Sequence, residues 1–300
     1  MRVGITGAAG LIGTALRTRL CERGNDALPV VRRAPDAGEI GWNPAEGRLD
    51  PRDLASLDAV VHLAGASIGD RRWTDKYRRE LVESRTVGTE LIAESMATAV
   101  QRGGGPTTLV SASAIGYYGD RGDEVVDESS SPGSGFLSEI CVAWEAATAP
   151  AAAAGIRVVT IRTGIVLSGR GGALPKLLPL FKVGLGGRIG NGQQWMSWIS
   201  LHDEVAAIEY LLDNPVSAAV NLVTPNPVTN REFASTLGSV LRRPSALPVP
   251  RFAPRLLLGR ERADALLFDG QRVAPQTLLA DGFDFRHPTL EGTLCAVLHR

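Results

Sequence analysis

Short apolar runs alternate with longer amphipathic stretches along the first half of the chain. Residues 2–6 (RVGIT), 27–31 (ALPVV) and 58–66 (DAVVHLAGA) are apolar, which is typical of buried strands. Residues 11–24 have apolar positions at helical spacing and predict a helix that ends at Gly24. Strands that alternate with helices predict parallel strands joined by crossover helices.

The same alternation continues as far as residue 167. The predicted elements are, in chain order, a helix (71–100), a strand that runs into a loop (107–119), a helix (135–155) and a strand (156–167). The pattern then changes, because residues 168–194 are rich in glycine with apolar residues interspersed. We therefore divide the chain into three predicted regions: residues 1–167, completed by a returning strand near 219–224; residues 168–247; and a small C-terminal region, 248–300.

Composition excludes several classes of protein and is compatible with an enzyme. The chain has 300 residues, enough to bury a large core, and 32 basic residues balance 32 acidic ones. This balance gives no indication of a nucleic-acid or membrane-surface partner. Three scattered cysteines argue against a disulfide framework, and the four histidines have no metal-site spacing. We expect no metal, no leader peptide and a reducing, cytoplasmic setting.

Three glycines follow the first predicted strand at regular spacing. Gly7, Gly10 and Gly13 lie in TGAAGLIG, directly before the first predicted helix. A residue without Cβ allows a tight turn, close approach of the backbone to a pyrophosphate, and close packing of the helix on the sheet. The free N–H groups at the helix N-terminus then face the anion. We predict a dinucleotide site here, in a Rossmann-type, doubly wound parallel α/β sheet with a smaller C-terminal substrate-side region.

The end of the second predicted strand indicates which dinucleotide binds. An NAD site usually has an acid there, which contacts the ribose 2′-hydroxyl. This chain instead has Val31 followed by Arg32 and Arg33. A guanidinium suits the 2′-phosphate of NADP(H), and the alternative interpretation is a solvated basic loop.

Six stretches of sequence resemble one known family. The chain resembles the short-chain dehydrogenase/reductase superfamily, of the extended and atypical kind related to nucleotide-sugar epimerases, in the group with a C-terminal domain of unknown function. The stretches that carry the resemblance extend from residue 6 to about 294: TGAAGLIG, VHLAGA, RRWT, SASAIGYYGD, RTGIVLSGRGGALPKLLPLFKVGLGGRIGNGQQWMSWI and GQRVAPQTLLADGFDFRHPTLEGTL.

The resemblance implies a set of cofactor-binding positions. Glycines of the first turn would hold the pyrophosphate, Arg32 would meet the 2′-phosphate, and Val166 would line the nicotinamide end. Glu80 and Arg85 would border the cofactor, although a surface salt bridge is an equal alternative for each. The complete predicted set is Gly7, Ala9, Gly10, Leu11, Ile12, Gly13, Val31, Arg32, Arg33, Leu63, Ala64, Gly65, Glu80, Arg85 and Val166.

The catalytic residues depart from the family's pattern. Active relatives use a Ser or Thr, a Tyr, and a Lys four residues after the Tyr; Ser113 matches the first of these. The helix that would carry Tyr and Lys reads GFLSEICVAWE and contains neither. An unassisted tyrosine has a pKa near 10, so an enzyme normally lowers that pKa with a nearby cation, here the family's lysine. This chain lacks that cation. Tyr117 and Tyr118 are candidate proton donors, with loop packing as the alternative.

Two functions remain open from the sequence. One is an NADP(H)-dependent oxidoreductase or epimerase acting on a carbonyl compound or sugar-like small molecule, in which Ser113 polarises the reacting carbonyl. The other is an NADPH-binding sensor protein without turnover. The glycine-rich segment and the tryptophans that follow it, Trp195 and Trp198, predict either a substrate pocket or a structural loop with a tryptophan core. Superfamily relatives are often dimers, so a homodimer is one expected assembly of this chain.

Overall fold

A parallel sheet of seven strands forms the centre of the protein. The computed structural model describes residues 1–299. The strands of the central sheet and of three small two-stranded sheets are, in chain order, β1 (Arg2–Thr6), β2 (Asp26–Val31), β3 (Ile40–Gly41), β4 (Ala59–His62), β5 (Thr108–Ala114), β6 (Val125–Val126), β7 (Arg157–Thr163), β8 (Ile165–Leu167), β9 (Trp195–Met196), β10 (Trp198–Ser200), β11 (Ala218–Leu222), β12 (Val228–Thr229) and β13 (Arg272–Val273).

Helices connect these strands. The α-helices are α1 (Leu11–Glu22), α2 (Pro51–Leu54), α3 (Asp75–Gln101), α4 (Phe136–Ala146), α5 (Ala149–Ala153), α6 (Leu174–Lys182), α7 (Leu201–Asp213), α8 (Asn230–Leu241), α9 (Phe252–Leu258), α10 (Arg260–Ala263), α11 (Gln276–Ala280) and α12 (Leu290–Leu298). In the part of the chain that the structure describes, no helix is both long enough and apolar enough to cross a membrane.

The strand order creates a crevice at the carboxyl edge of the sheet. The order is β11-β7-β5-β4-β1-β2-β3, and all of these pairs are parallel. The order reverses between β1 and β4, so the carboxyl ends of these two strands border a crevice of the kind in which doubly wound sheets bind their ligands. The predicted Rossmann-type α/β fold is confirmed. A strand does lie at Ala218–Leu222, where it pairs with β7 at the sheet edge.

The core lies on both faces of this sheet. Val3 and Ile5 pack with Leu16 of α1 and Ile208 of α7 in one buried cluster. On the other face, Val60 and Leu109 pack with apolar residues of α3. Helices therefore cover both faces, which explains why the strands are near-continuous apolar runs rather than alternating ones.

Two predicted elements are each split in two. The strand predicted over 156–167 breaks at Gly164, where β7 stays in the main sheet and β8 pairs with β10. A Cβ at Gly164 would lie 2.7 Å from the carbonyl oxygen of Ser197, so the close chain crossing requires glycine. The helix predicted over 135–155 ends at Ala146 and restarts as α5, with Pro150 in its first turn.

The C-terminal region is fastened to the rest of the chain by side chains and a short strand. β13 pairs in parallel with β6. The Ser197 hydroxyl donates to the Gln271 carbonyl at 2.7 Å and accepts from the Val273 N–H at 2.9 Å. The buried Asp203 carboxylate accepts from the N–H groups of Arg286 and His287. These bonds hold residues 271–287 against β10 and α7.

Candidate functional site

The three positions of the first turn require glycine for different structural reasons. Gly7 has φ +65°, and a Cβ there would lie 2.9 Å from the backbone of Leu63. A Cβ on Gly13 would overlap the Gly7 carbonyl. A Cβ on Gly10 would meet only the Gly7 oxygen, at 3.1 Å, and Gly10 is exposed. The packing of the protein's own backbone therefore requires glycine at positions 7 and 13. Gly10 instead leaves open space in which a ligand can approach the backbone closely.

The N-terminus of α1 is suited to an anion. Gly10 is its N-cap and supplies no side-chain cap, and the first turn has no acidic residue. The helix has 12 residues, and its unpaired N–H groups and dipole favour negative charge at this end. Ala9 is exposed beside it, and Leu11 and Ile12 are half-buried.

A hydrogen-bond network holds the ends of β1 and β4 together. The buried Thr6 hydroxyl oxygen accepts from the N–H groups of Leu63 and Ala64, at 3.0 and 3.2 Å. It also bonds to His62 Nδ1 at 2.8 Å. Burial lowers the pKa of His62 to about 4, so this imidazole is neutral at pH 7. The strand-end residues Leu63 and Ala64, with the exposed Gly65, are thereby fixed beside the glycine turn.

The two arginines after β2 differ in their partners. Arg33 donates to Glu39 at 2.7 Å and lies 2.9 Å from Asp36, and the hydrogen bond to Glu39 raises the pKa of this guanidinium. Arg32 is exposed and has no carboxylate within 4.0 Å in residues 1–299. Arg32 is thus the arginine available to a phosphate beside the half-buried Val31.

Arg85 and Glu80 have separate environments although both lie on α3. Arg85 is buried and donates to the carbonyls of Leu81 and Ala66, both at 3.0 Å, with its guanidinium 4.9 Å from the Trp144 ring centroid. Arg85 therefore holds the loop after β4, and the surface salt bridge considered for it is wrong. Glu80 is exposed and lies 3.7 Å from Arg71, which corresponds to the surface alternative.

Ser113 belongs to a buried polar network at the carboxyl end of β5. Its hydroxyl donates to Glu145 Oε1 at 2.7 Å. Arg162 holds both oxygens of the same carboxylate, through Nε and Nη2, each at 2.8 Å. Burial acts to lower the pKa of Arg162, but the hydrogen bonds to Glu145 and Tyr118 outweigh it and raise that pKa. The Glu145 carboxylate is therefore oriented by Arg162 and in contact with Ser113.

Sequence reasoning missed both Glu145 and Arg162. Glu145 lies one helical turn after Cys141, on the helix in which Tyr and Lys were sought. Arg162 is the register partner of Ser113 on the neighbouring strand β7. An arginine facing a serine across two buried strands was the available signal, since a buried arginine needs an acidic partner.

Tyr118 was a wrong candidate for proton donor. It is fully buried, and its hydroxyl donates to Asn221 Oδ1 at 2.7 Å and accepts from Arg162 Nη1 at 3.0 Å. Burial raises the pKa of Tyr118 to about 12. A phenol with both roles occupied inside the core cannot reach a substrate, so Tyr118 positions Arg162.

Tyr117 stays a prediction. It is half-buried, and the Arg162 guanidinium lies 3.5 Å from its ring centroid. Its carbonyl accepts from the Gly133 N–H and from the Ser138 hydroxyl, which fixes the backbone of the loop. Within residues 1–299 the Tyr117 hydroxyl has no hydrogen-bond partner.

Burial raises the pKa of two further groups near the network. Cys141 stands where the family's lysine would in one register, and burial raises the pKa of its thiol to about 11. Glu204 is fully buried beyond β7, accepts from the Thr163 hydroxyl at 2.9 Å, and has its pKa raised by burial to about 8. Burial therefore favours the neutral forms of the Cys141 thiol and the Glu204 carboxyl.

The segment after β8 reaches the glycine turn. A Cβ on Gly171 would lie 3.3 Å from Leu11 Cδ1, and Val166 is half-buried at the start of this segment. Of the two tryptophans, Trp198 is fully buried and structural. Trp195 is half-buried, with its indole N–H 2.8 Å from Asp123.

Comparisons with known proteins agree with this geometry. The family model described as the NAD dependent epimerase/dehydratase family matches residues 3–223, and a domain of unknown function, DUF1731, matches residues 249–297. The epimerase family protein Mb2239 of Mycobacterium bovis is 47% identical over 290 residues, covering 96% of this chain and 94% of that one. The human epimerase family protein SDR39U1 is 37% identical over 298 residues, 98% of each chain.

Solved structures show the same fold. A crystal structure of human SDR39U1 with NADPH superposes with a TM-score of 0.88 at 34% identity, covering the whole of both chains. A nucleoside-diphosphate sugar epimerase of Corynebacterium glutamicum has a TM-score of 0.80 at 37% identity, covering 99% of this chain and 58% of that one. The chain belongs to the NAD dependent epimerase/dehydratase family of short-chain dehydrogenase/reductase-like proteins, in the group that carries the DUF1731 region.

Proposed function

We propose that the protein is an NADP(H)-dependent oxidoreductase or epimerase-like enzyme that acts on a carbonyl compound or sugar-like small molecule. The observation that carries this proposal is the contact between Ser113 and the Glu145–Arg162 ion pair. A strand-end serine that is hydrogen-bonded to an arginine-paired carboxylate, at the edge where the carboxyl ends of the strands meet, is a means of moving a proton at a substrate oxygen.

The residues at the crevice fit NADP(H). The uncapped N-terminus of α1 and the open space at Gly10 suit a pyrophosphate, and Arg32 suits the 2′-phosphate. The NADPH in the crystal structure of human SDR39U1 supports the same assignment. When bound, the nicotinamide would exchange a hydride with the substrate carbon.

The hydrogen-bond direction defines what Ser113 and Glu145 do. The Ser113 proton points to Glu145, so the Ser113 oxygen is free to accept a proton from a substrate hydroxyl. In oxidation, the substrate O–H proton passes to Ser113 while the Ser113 proton passes to Glu145. Reduction runs in reverse and starts from a Glu145 carboxyl that has taken up a proton from solvent: Ser113 gives its proton to the new alkoxide and takes one from Glu145, which ends as a carboxylate. Glu145 thereby replaces the missing Tyr and Lys as the proton store.

Arg162 and Tyr118 are positioning residues in this scheme. Arg162 binds both carboxylate oxygens and so fixes the plane of Glu145 against Ser113. Tyr118 in turn fixes Arg162, because its hydroxyl accepts from Arg162 Nη1 at 3.0 Å and donates to Asn221 Oδ1 at 2.7 Å. Preorganisation of this kind lowers the reorganisation needed when a proton moves.

The experiment that tests this proposal compares two serine variants of β5. Purified protein is incubated with NADPH and a panel of aldehydes, ketones, quinones and nucleotide sugars, following nicotinamide absorbance and product chromatography. We expect slow turnover on a carbonyl compound and a loss of about 10²- to 10³-fold in Ser113→Ala. Ser111→Ala is the control, because Ser111 is buried two residues earlier and its hydroxyl has no partner in residues 1–299.

The two functional classes give different results in this experiment. Turnover that survives Ser113→Ala unchanged would contradict the role of Ser113. Tight NADPH binding with no turnover across the panel would instead support the alternative, an NADPH-binding sensor protein. The observation that supports this alternative is that α4 has neither Tyr nor Lys in either register, Phe136 with Ile140 or Leu137 with Cys141.

A second prediction concerns the choice of cofactor. A charge-assisted hydrogen bond contributes about 1.5–3 kcal/mol, so Arg32→Ala is expected to weaken NADPH binding by roughly ten- to a hundredfold. NADH binding should hardly change, because NADH lacks the 2′-phosphate. Arg33→Ala is the comparison, since Glu39 and Asp36 already neutralise Arg33. Isothermal titration calorimetry that finds equal NADPH and NADH affinities in the unaltered protein would remove the NADP assignment.

A further inference from the structure

A second cavity of about 610 Å³ lies outside the crevice described above. It is bounded by the glycine-rich segment, by α8 and by the turn that follows α8. We name it the arginine pocket after four of the residues that line it: Arg188, Arg231, Arg242 and Arg243. None of its lining residues belongs to the glycine turn or to the Ser113 network.

Two of these guanidinium groups converge on one carbonyl oxygen. Arg188 Nη1 donates to the Asn191 carbonyl at 3.1 Å, and Arg231 Nη2 donates to the same oxygen at 3.0 Å. The two nitrogens are therefore within about 6 Å of each other, a separation at which like charges repel measurably near a protein surface. The backbone carbonyls of Asn191 and Gly190 offset only part of this repulsion, and an anion in the cavity that both arginines line would reduce it further.

No acidic side chain neutralises this charge. The lining residues include no Asp or Glu, and none of the four arginines has a carboxylate within 4.0 Å in residues 1–299. Elsewhere in the chain the guanidiniums of Arg33 and Arg162 do meet carboxylates. With a net charge of zero over the whole protein, a pocket with four unneutralised arginines is a local concentration of positive charge.

Three serines line the cavity together with the arginines: Ser235, Ser239 and Ser245. A Cβ on Gly238 would lie 2.5 Å from Ser245 Oγ, so glycine is what lets the turn close against α8. Arg242 has a left-handed conformation, with φ 54°, and the Arg243 N–H donates to the Gly238 carbonyl, which ends the helix and fixes this wall.

We propose that the arginine pocket binds a phosphate-bearing small molecule. Guanidinium forks and hydroxyls are the groups that recognise phosphate oxygens. The lining residues described for this cavity include no aromatic side chain, so nothing there stacks on a base, and recognition rests on the phosphate. The volume exceeds that of a single phosphate and accommodates a diphosphate or a phosphorylated sugar.

The test measures binding without any dinucleotide present. The probes are inorganic pyrophosphate, glucose 6-phosphate and, as the neutral comparison, glucose, measured by isothermal titration calorimetry at low salt. All titrations use the full chain with Gly10→Val, a variant that blocks the glycine turn and leaves the arginine pocket untouched. We expect pyrophosphate or glucose 6-phosphate to bind, glucose not to bind, and affinity to fall as salt is raised.

Two charge-matched variants locate the site. Arg231→Gln with Arg243→Gln should weaken binding by at least roughly tenfold, because each arginine contributes charge-assisted hydrogen bonds. Arg79→Gln with Arg102→Gln, on and after α3, removes the same two charges elsewhere and should leave binding unchanged. Circular dichroism and thermal unfolding without probe verify that both variants are folded.

Each outcome distinguishes the probes and decides the proposal. Binding of pyrophosphate but not of glucose 6-phosphate assigns a diphosphate, and the reverse assigns a phosphorylated sugar. Equal affinities in the two double variants would overturn the location, and no binding of either phosphate-bearing probe would overturn the proposal. Neither result depends on turnover at Ser113, and the comparison of the two double variants locates the site whether or not Gly10→Val closes the glycine turn.

Discussion

The Gly10→Val variant should lose NADPH binding while keeping its native fold. A valine side chain at this exposed position fills the space through which a pyrophosphate would approach the α1 N-terminus. It meets little of the protein itself, because the added Cβ has only the Gly7 oxygen as a neighbour, at 3.1 Å. We expect the dissociation constant to rise by at least about 100-fold, which corresponds to losing roughly 2.7 kcal/mol of binding free energy.

Gly13→Val is the contrasting variant three residues away. Its Cβ would overlap the Gly7 carbonyl inside the turn, so we expect a lower melting temperature, with binding lost through misfolding. Calorimetric NADPH titration, far-UV circular dichroism and thermal unfolding separate the two cases. If Gly10→Val binds NADPH with unchanged affinity, the turn has only a structural role.

The Glu145→Gln variant should lose most of the turnover found in the substrate panel. An amide keeps the size of the side chain and can still accept from Ser113, but it cannot store the proton. General acid–base catalysis contributes about 10²- to 10⁴-fold, and we expect kcat to fall within this range while the NADPH dissociation constant stays the same. Stopped-flow nicotinamide absorbance measures the first quantity and calorimetry the second.

The same substitution also disturbs a buried ion pair, so folding must be measured alongside activity. Removing one partner of such a pair costs about 3–5 kcal/mol of stability. Glu145→Asp is the matched variant, since it retains the charge beside Arg162 but shortens the reach to Ser113. Urea unfolding should show Glu145→Asp to be the more stable of the two, with turnover partly retained.

A double variant tests whether Ser113 and Glu145 act as one unit. If the proton moves through both, Ser113→Ala combined with Glu145→Gln should lose no more turnover than the worse single variant. Losses that multiply would show that the two residues act independently. That result would leave Ser113 in contact with substrate and remove Glu145 from the proton path.

Local patterns in the chain were sufficient to predict the sheet, the glycine turn after β1 and the family. Gly7, Gly10 and Gly13 are three apart in sequence, and alternating apolar runs depend only on neighbouring residues. Such features can be recognised from the residues of one strand, turn or helix, without knowledge of its tertiary contacts. The equal spacing of the three glycines does not distinguish their roles. Gly7 and Gly13 are required by the packing of the protein's own backbone, whereas Gly10 faces open space. This difference depends on the atoms that a Cβ at each position would contact, which only the folded structure places.

Tertiary packing alone decided the chemistry of the site. Ser113, Glu145 and Arg162 come from β5, α4 and β7, and their contacts depend on strand register and on the rotation of a helix against the sheet. The same packing buried Tyr118, which the sequence left as a candidate donor, and gathered Arg188, Arg231, Arg242 and Arg243 around one cavity. The spacing of charged residues along the sequence does not predict which residues they will contact. Their roles depend on desolvation and on distances of about 3 Å, which only the folded chain creates.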